Sequence, residues 1–116
     1  IMATIKEGDN PQRIIVQTYN YNLKTGRGVT IQDILVSRGI EENVVNKKIE
    51  NTIKKASEDA NKMAESGYTV YQRDPNDEMY KLENINTFMK GPNGELYIIF
   101  AYGNNNFTSE MDVIEI

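Results

Sequence analysis

The chain has 116 residues, the size of one domain, and no stretch approaches the ~20 consecutive apolar residues that a membrane span requires. Its 13 Lys and Arg against 17 Asp and Glu leave a net charge of −4, a balance that argues against nucleic acid and against anionic membrane surfaces, which select basic patches. Cysteine and histidine are both absent, which removes disulfides, the usual proton shuttle near neutral pH and the commonest neutral metal ligand.

The elements follow in chain order. The chain opens with Ile1-Met2 inside what reads as a strand, which suggests a piece of a longer protein. Met2 to Lys6 is a short predicted strand, and Glu7-Gly8-Asp9-Asn10-Pro11 is a turn. Arg13 to Leu23 reads as a long strand, with Tyr19, Tyr21 and Leu23 on one face and Thr18, Asn20 and Asn22 on the other. Lys24-Thr25-Gly26 closes it, so residues 1–23 form a predicted hairpin. Thr30-Ile31-Gln32-Asp33 is a capping box that starts a short helix to Ser37, with Gly39 as its stop. The strongest periodic signal comes next. Val45, Ile49, Ile53, Ala56, Ala60, Met63 and Ala64 recur at steps of three or four, the apolar stripe of a long helix. Glu41 and Glu42 sit where the helix dipole favours anions, and Gly67 supplies the stop.

Tyr68 to Gln72 is a predicted short strand, and residues 73–78 are polar and turn-rich. Asn84 to Met89 is a further predicted strand, followed by the hairpin signal Gly91-Pro92-Asn93-Gly94. Residues 96–102 are apolar on both faces, which places them centrally in the sheet. Met111 to Ile116 is the last strand. The fold class expected is α+β, a mostly antiparallel sheet with one long helix and one short helix packed on one face.

Few residues carry a chemical signal. Ser37, Ser57, Ser66 and Ser109 sit in no Ser-Lys motif. Glu110 and Asp112 lie two apart, a spacing that puts both carboxylates on one strand face. A solvated acidic face that discourages edge pairing explains them better than glycoside chemistry. Asp74-Pro75-Asn76-Asp77-Glu78 is oxygen-rich but lacks the glycine and distal glutamate of a calcium loop. Asn106-Phe107-Thr108 matches a glycosylation acceptor. Tyr19, Tyr21, Tyr97, Phe100, Tyr102 and Phe107 could form an aromatic platform, though most should be core. Tyr102 and Phe107 flank a loop, and for these two binding and core weigh equally. No catalytic residue, metal ligand or cofactor is expected.

Several blocks are similar in spacing to a known family. Tyr19-Asn20-Tyr21-Asn22-Leu23-Lys24-Thr25-Gly26, followed by Val29 to Leu35, resembles its "Y-x-DLKTGKxxTLKDLF" block. Val44 to Lys54 resembles its "N-x-x-I-x-x-x-I" helix, and Asn93 to Val113 its terminal "G-x-L-x-I-x-F" block. This is the RsiV-like domain of extracellular anti-sigma-factor segments and of cell-wall polysaccharide deacetylases of the PdaC type. The resemblance spans residues 1–116 as one domain. It implies an α+β fold, a Gram-positive surface location with anchoring through a segment outside this chain, and no catalysis by the domain. In anti-sigma members it implies sensing of lysozyme by direct binding. Asn22 departs from the family's usual Asp, and Gly103-Asn104-Asn105-Asn106 from the Pro/Ala-rich loop of lysozyme-binding members.

A noncatalytic extracytoplasmic binding or sensor domain is therefore expected, with an accessory domain of a cell-envelope enzyme as the alternative. The expected partner is a cationic protein such as lysozyme, or cell-wall glycan. The expected binding residues lie in two loops: Asp9 and Asn10 in the first, and Tyr102, Asn104, Asn105, Asn106 and Phe107 in the second. Glu110 and Asp112 should add steering charge toward a cationic partner. The charge is uneven in the same sense. Residues 1–65 hold ten basic and nine acidic groups, residues 66–116 three and eight.

Overall fold

A computed structural model describes residues 2–5, 13–16, 18, 20, 26–102 and 110–116. Two strands open the chain, β1 (Met2–Ile5) and β2 (Arg13–Val16). They pair antiparallel with Met2 opposite Val16 and Ile5 opposite Arg13. The predicted hairpin is present, but β2 is shorter than expected, and Thr18 and Asn20 lie outside any strand. Tyr19, Tyr21, Asn22 and Leu23 lie outside the described residues.

The first helix, α1 (Ile31–Arg38), forms where the capping box places it. Thr30 accepts from the Asp33 amide at 3.2 Å, and the Asp33 carboxylate accepts from the Thr30 amide at 3.0 Å. The helix ends in a left-handed residue, Gly39 at φ 66°. The amides of Gly39 and Ile40 then turn back onto the carbonyls of Val36 and Leu35. The second helix, α2 (Glu42–Glu65), ends the same way. Gly67 at φ 90° donates to Ala64, and Tyr68 donates to Met63. Val45, Ile49, Ile53 and Ala60 of the stripe are buried. Met63 and Ala64 are exposed, Met63 to 45%, because the last turn of α2 runs past the end of the core.

Three strands follow as a meander, β3 (Phe88–Lys90), β4 (Leu96–Ala101) and β5 (Met111–Glu115), in the order β3-β4-β5 and antiparallel throughout. The predicted central placement of 96–102 holds. Between β3 and β4, Gly91 donates to Glu95 and Gly94, at φ 86°, donates to Gly91, so the predicted turn is made. Two other expectations fail. Residues 68–72 are irregular, and residues 82–84 form a 3₁₀ turn, so β3 begins only at Phe88. Asp77 accepts from the Met79 amide at 2.9 Å and starts the first of two 3₁₀ turns, Glu78–Tyr80 and Leu82–Asn84. Asn84 ties the second to the first by donating to the Glu78 carbonyl.

One face of the sheet carries the core. Leu96, Ile98 and Phe100 of β4, Ile114 of β5 and Phe88 of β3 pack with Ile31, Leu35, Val45, Ile49 and Ile53 from the helices. This is the expected α+β arrangement, with both helices packed on one face of an antiparallel sheet. Each fully buried Ile or Leu here contributes roughly 1.5–3 kcal/mol through area removed from water.

Candidate functional site

An open groove of about 750 Å³ lies between α2 and the stretch that carries the two 3₁₀ turns. Its floor is apolar. Ile49 and Ile53 come from the buried stripe of α2, and Tyr80 and Leu82 from the two turns. The rim is charged. Glu42 and Glu50 stand one side, Asp77 and Glu83 the other, all four exposed, with Lys81 as the one ammonium among the lining residues. Lys81 is itself bonded to Glu78 at 2.7 Å. Gln32 of α1 donates to the Leu82 carbonyl at 3.3 Å and fixes the second turn against the helices. The Glu50 carboxyl is held below the usual carboxylate range by its hydrogen bond to Lys54 at 2.7 Å. It therefore stays an anion and is a poor proton donor near neutral pH.

A second cluster of polar groups is closed rather than open. Arg73 grips Asp112 with two bonds, Nε to Oδ2 at 2.7 Å and an Nη to Oδ1 at 3.1 Å, and reaches Glu110 at 3.4 Å. Its side chain is only 8% exposed. Burial works against the Arg73 charge, but the bonds and charge of Asp112, with Tyr102 and Glu110 behind them, outweigh it, and the guanidinium is held even more firmly protonated than usual. Tyr102 donates to Asp112 at 2.7 Å and shares a 2.7 Å hydroxyl contact with Tyr80. Burial pushes the Tyr102 hydroxyl far up, and its bonds to Tyr80 and Asp112 push it further. Tyr71 stacks on Tyr102 with ring centroids 4.3 Å apart, and Tyr80 meets Phe100 edge-on at 4.8 Å. Ser57 of α2 donates to the Arg73 carbonyl, tying the cluster to the helix. Every buried side-chain oxygen and nitrogen among the described residues has a partner. The bonds of the cluster are made within the fold, and its geometry fastens the irregular stretch 71–73 to β5.

The structure thus corrects two sequence expectations. Tyr102 is not an exposed aromatic beside a loop; it is 5% exposed and belongs to the core. Glu110 and Asp112 are not a freely solvated acidic face, because Arg73 neutralises much of their charge. A signal for Asp112 was present. It keeps step with Ile114 and Ile116, so alternation puts it on the inward face. Arg73 gave no signal, since its partners lie 37 and 39 residues away. The groove had no local signal either, because it forms where residues 75–83 lie against α2, a contact between segments distant in sequence. Asp9, Asn10, Asn104, Asn105, Asn106 and Phe107 lie outside the described residues. Asp74 and Asp77 spend carboxylate oxygens on nearby backbone amides, those of Asn76 and Met79, as turn residues do. No family model, no curated protein and no solved structure matches the chain.

Proposed function

We propose that this domain is a noncatalytic binding or sensor module of the anti-sigma-factor kind, displayed outside the cell, and that its partner is a cationic protein such as lysozyme. The observation that carries this is the groove, with an apolar floor of Ile49, Ile53 and Leu82 under a rim of four exposed carboxylates and one lysine. A rim of mostly one sign steers an oppositely charged partner and selects against others, while the floor residues, buried in the core, shape the groove. The net charge of −4 acts in the same direction. Asp9 and Asn10, with Asn104 to Phe107, remain proposed contributors from the two loops. Tyr102 and Glu110, which flank that second segment in sequence, are joined by the Tyr102 amide donating to the Glu110 carbonyl at 3.0 Å.

The experiment is a calorimetric titration of the domain with lysozyme and, separately, with peptidoglycan fragments, at low and high salt. Lysozyme binding that weakens with salt, and weakens again in the Glu50→Gln/Glu83→Gln double variant, is the expected result. Binding of glycan alone would move the domain to the accessory role beside a cell-envelope enzyme. Binding of neither would end the proposal.

A further inference from the structure

The two edges of the meander are finished differently. On β4 and β5, the Tyr102 amide donates to Glu110 and the Ile116 amide to Leu96, at 3.0 and 2.8 Å. In an antiparallel ladder this phase repeats every two residues. Residues 110, 112, 114 and 116 therefore aim their amides and carbonyls at β4, while Met111, Val113 and Glu115 turn theirs outward. Among the described residues no strand pairs with that side of β5. At the opposite edge, β3 shows outward groups at Phe88 and Lys90, and those of Phe88 are taken. The Phe88 amide donates to Thr18 Oγ1 at 3.0 Å, and Asn20 Nδ2 donates to the Phe88 carbonyl at 2.9 Å. Among the described residues, one edge is closed by side chains at Phe88 and the other carries no such bond.

The open edge has few of the devices that usually block pairing, since its inward-pointing charge, Asp112, is held by Arg73. Its register with β4 runs without a bulge from Ala101↔Met111 to Tyr97↔Glu115, and residues 110–116 contain no Lys and no Pro. Val113, at its centre, is 54% exposed. Its available charge is acidic. Glu115 stands on it, Glu95 lies two residues from Tyr97, which faces Glu115 across the ladder, and Glu110 and Asp112 share Arg73 as their counter-charge.

We propose that β5 is a docking edge for an extended, basic peptide segment of a partner protein, which adds a further strand to the sheet. The outward amides and carbonyls of Met111, Val113 and Glu115 pair with the incoming backbone, Val113 meets an apolar side chain, and Glu115 meets a lysine or arginine. Charge decides for this occupant over a second copy of the chain, because two β5 edges would bring like charges together. This site is separate from the groove and does not depend on it.

The probe is an eight-residue peptide of alternating lysine and valine, fluorescently labelled and titrated by anisotropy against the whole chain. Two controls accompany it: a glutamate–valine counterpart, and the same lysine peptide methylated on alternate backbone nitrogens. Val113→Pro removes one outward amide without removing a bond to β4, a position where an edge strand tolerates proline. Val113→Lys keeps the amide and adds a like charge. The lysine peptide should bind, the two control peptides should not, and both variants should weaken binding at least tenfold while keeping the wild-type melting transition. Amide exchange at residues 111, 113 and 115 should slow on binding. Equal binding of the methylated peptide would show attraction by charge alone and overturn the proposal. Unchanged binding by Val113→Pro with no slowing at those amides would do the same, as would sedimentation showing that two copies pair through β5.

Discussion

Arg73 holds together residues that have no local reason to meet. Its guanidinium is buried against Asp112, and removing it leaves that carboxylate, and part of Glu110, without a counter-charge. Loss of one partner of a buried pair costs roughly 3–5 kcal/mol. The effect here should fall at the low end, since the Glu110 side chain keeps 33% of its surface in water. Arg73→Met should therefore lower unfolding free energy by about 3 kcal/mol in urea, and Arg73→Met/Asp112→Leu should recover part of the loss. A double variant as unstable as the single one would show that packing, not charge, holds the cluster.

Tyr102 and Tyr80 give the same cluster a pH signature. Both hydroxyls are pushed upward by burial, so both stay neutral in the folded chain at a pH where the unfolded chain ionises them. A raised folded value means that stability is complete below the unfolded value of about 10 and is lost as pH climbs above it, by ~1.4 kcal/mol per pH unit for each tyrosine kept neutral. Absorbance at 295 nm should show these two tyrosines ionising only as the protein unfolds. Smooth ionisation of all seven tyrosines near pH 10 in a still-folded chain would contradict the hydrogen-bonded burial of Tyr102.

At the scale of elements, signals confined to a few neighbouring residues came through and signals that need a distant partner did not. The capping box at Thr30 and Asp33, the stops at Gly39 and Gly67 and the turn at Gly94 are all local, and each stands where the sequence puts it. The stretch Tyr68 to Gln72 has strand-forming residues, but Tyr71 stacks its ring on Tyr102 and Arg73 bonds to Asp112, contacts that hold the stretch in an irregular path. Of residues 84–87, Asn84 lies in a 3₁₀ turn and 85–87 are irregular, although the Thr87 carbonyl still accepts from the Ile99 amide at 3.0 Å. The stripe of α2 is legible in phase but not in extent, since periodicity cannot say where the core ends. Ile53 is 1% exposed and Met63 45%. Ile53→Ala should cost ~2–5 kcal/mol, and Met63→Ala well under 1 kcal/mol. Comparable losses at the two positions, measured by chemical unfolding, would place the end of α2 in a core that the fold does not show.

For the molecule as a whole, the acidic excess of residues 66–116 divides into two parts. Glu110 and Asp112 are spent on Arg73 and contribute mainly to stability. Asp77 and Glu83 stand exposed on one rim of the groove, across from Glu42 and Glu50 on the other. At the groove, the second group is the one available to a partner. The charge asymmetry was visible in the sequence, but its assignment was not. That depends on α2 lying against a stretch some thirty residues downstream. The most direct measurement is a map of amide chemical shifts on titrating the labelled domain with lysozyme. The account predicts changes concentrated at Glu42, Asn46 and Glu50 and along residues 76–83, fading as salt is raised. Saturable binding whose changes fall elsewhere, leaving those residues unmoved, would contradict it.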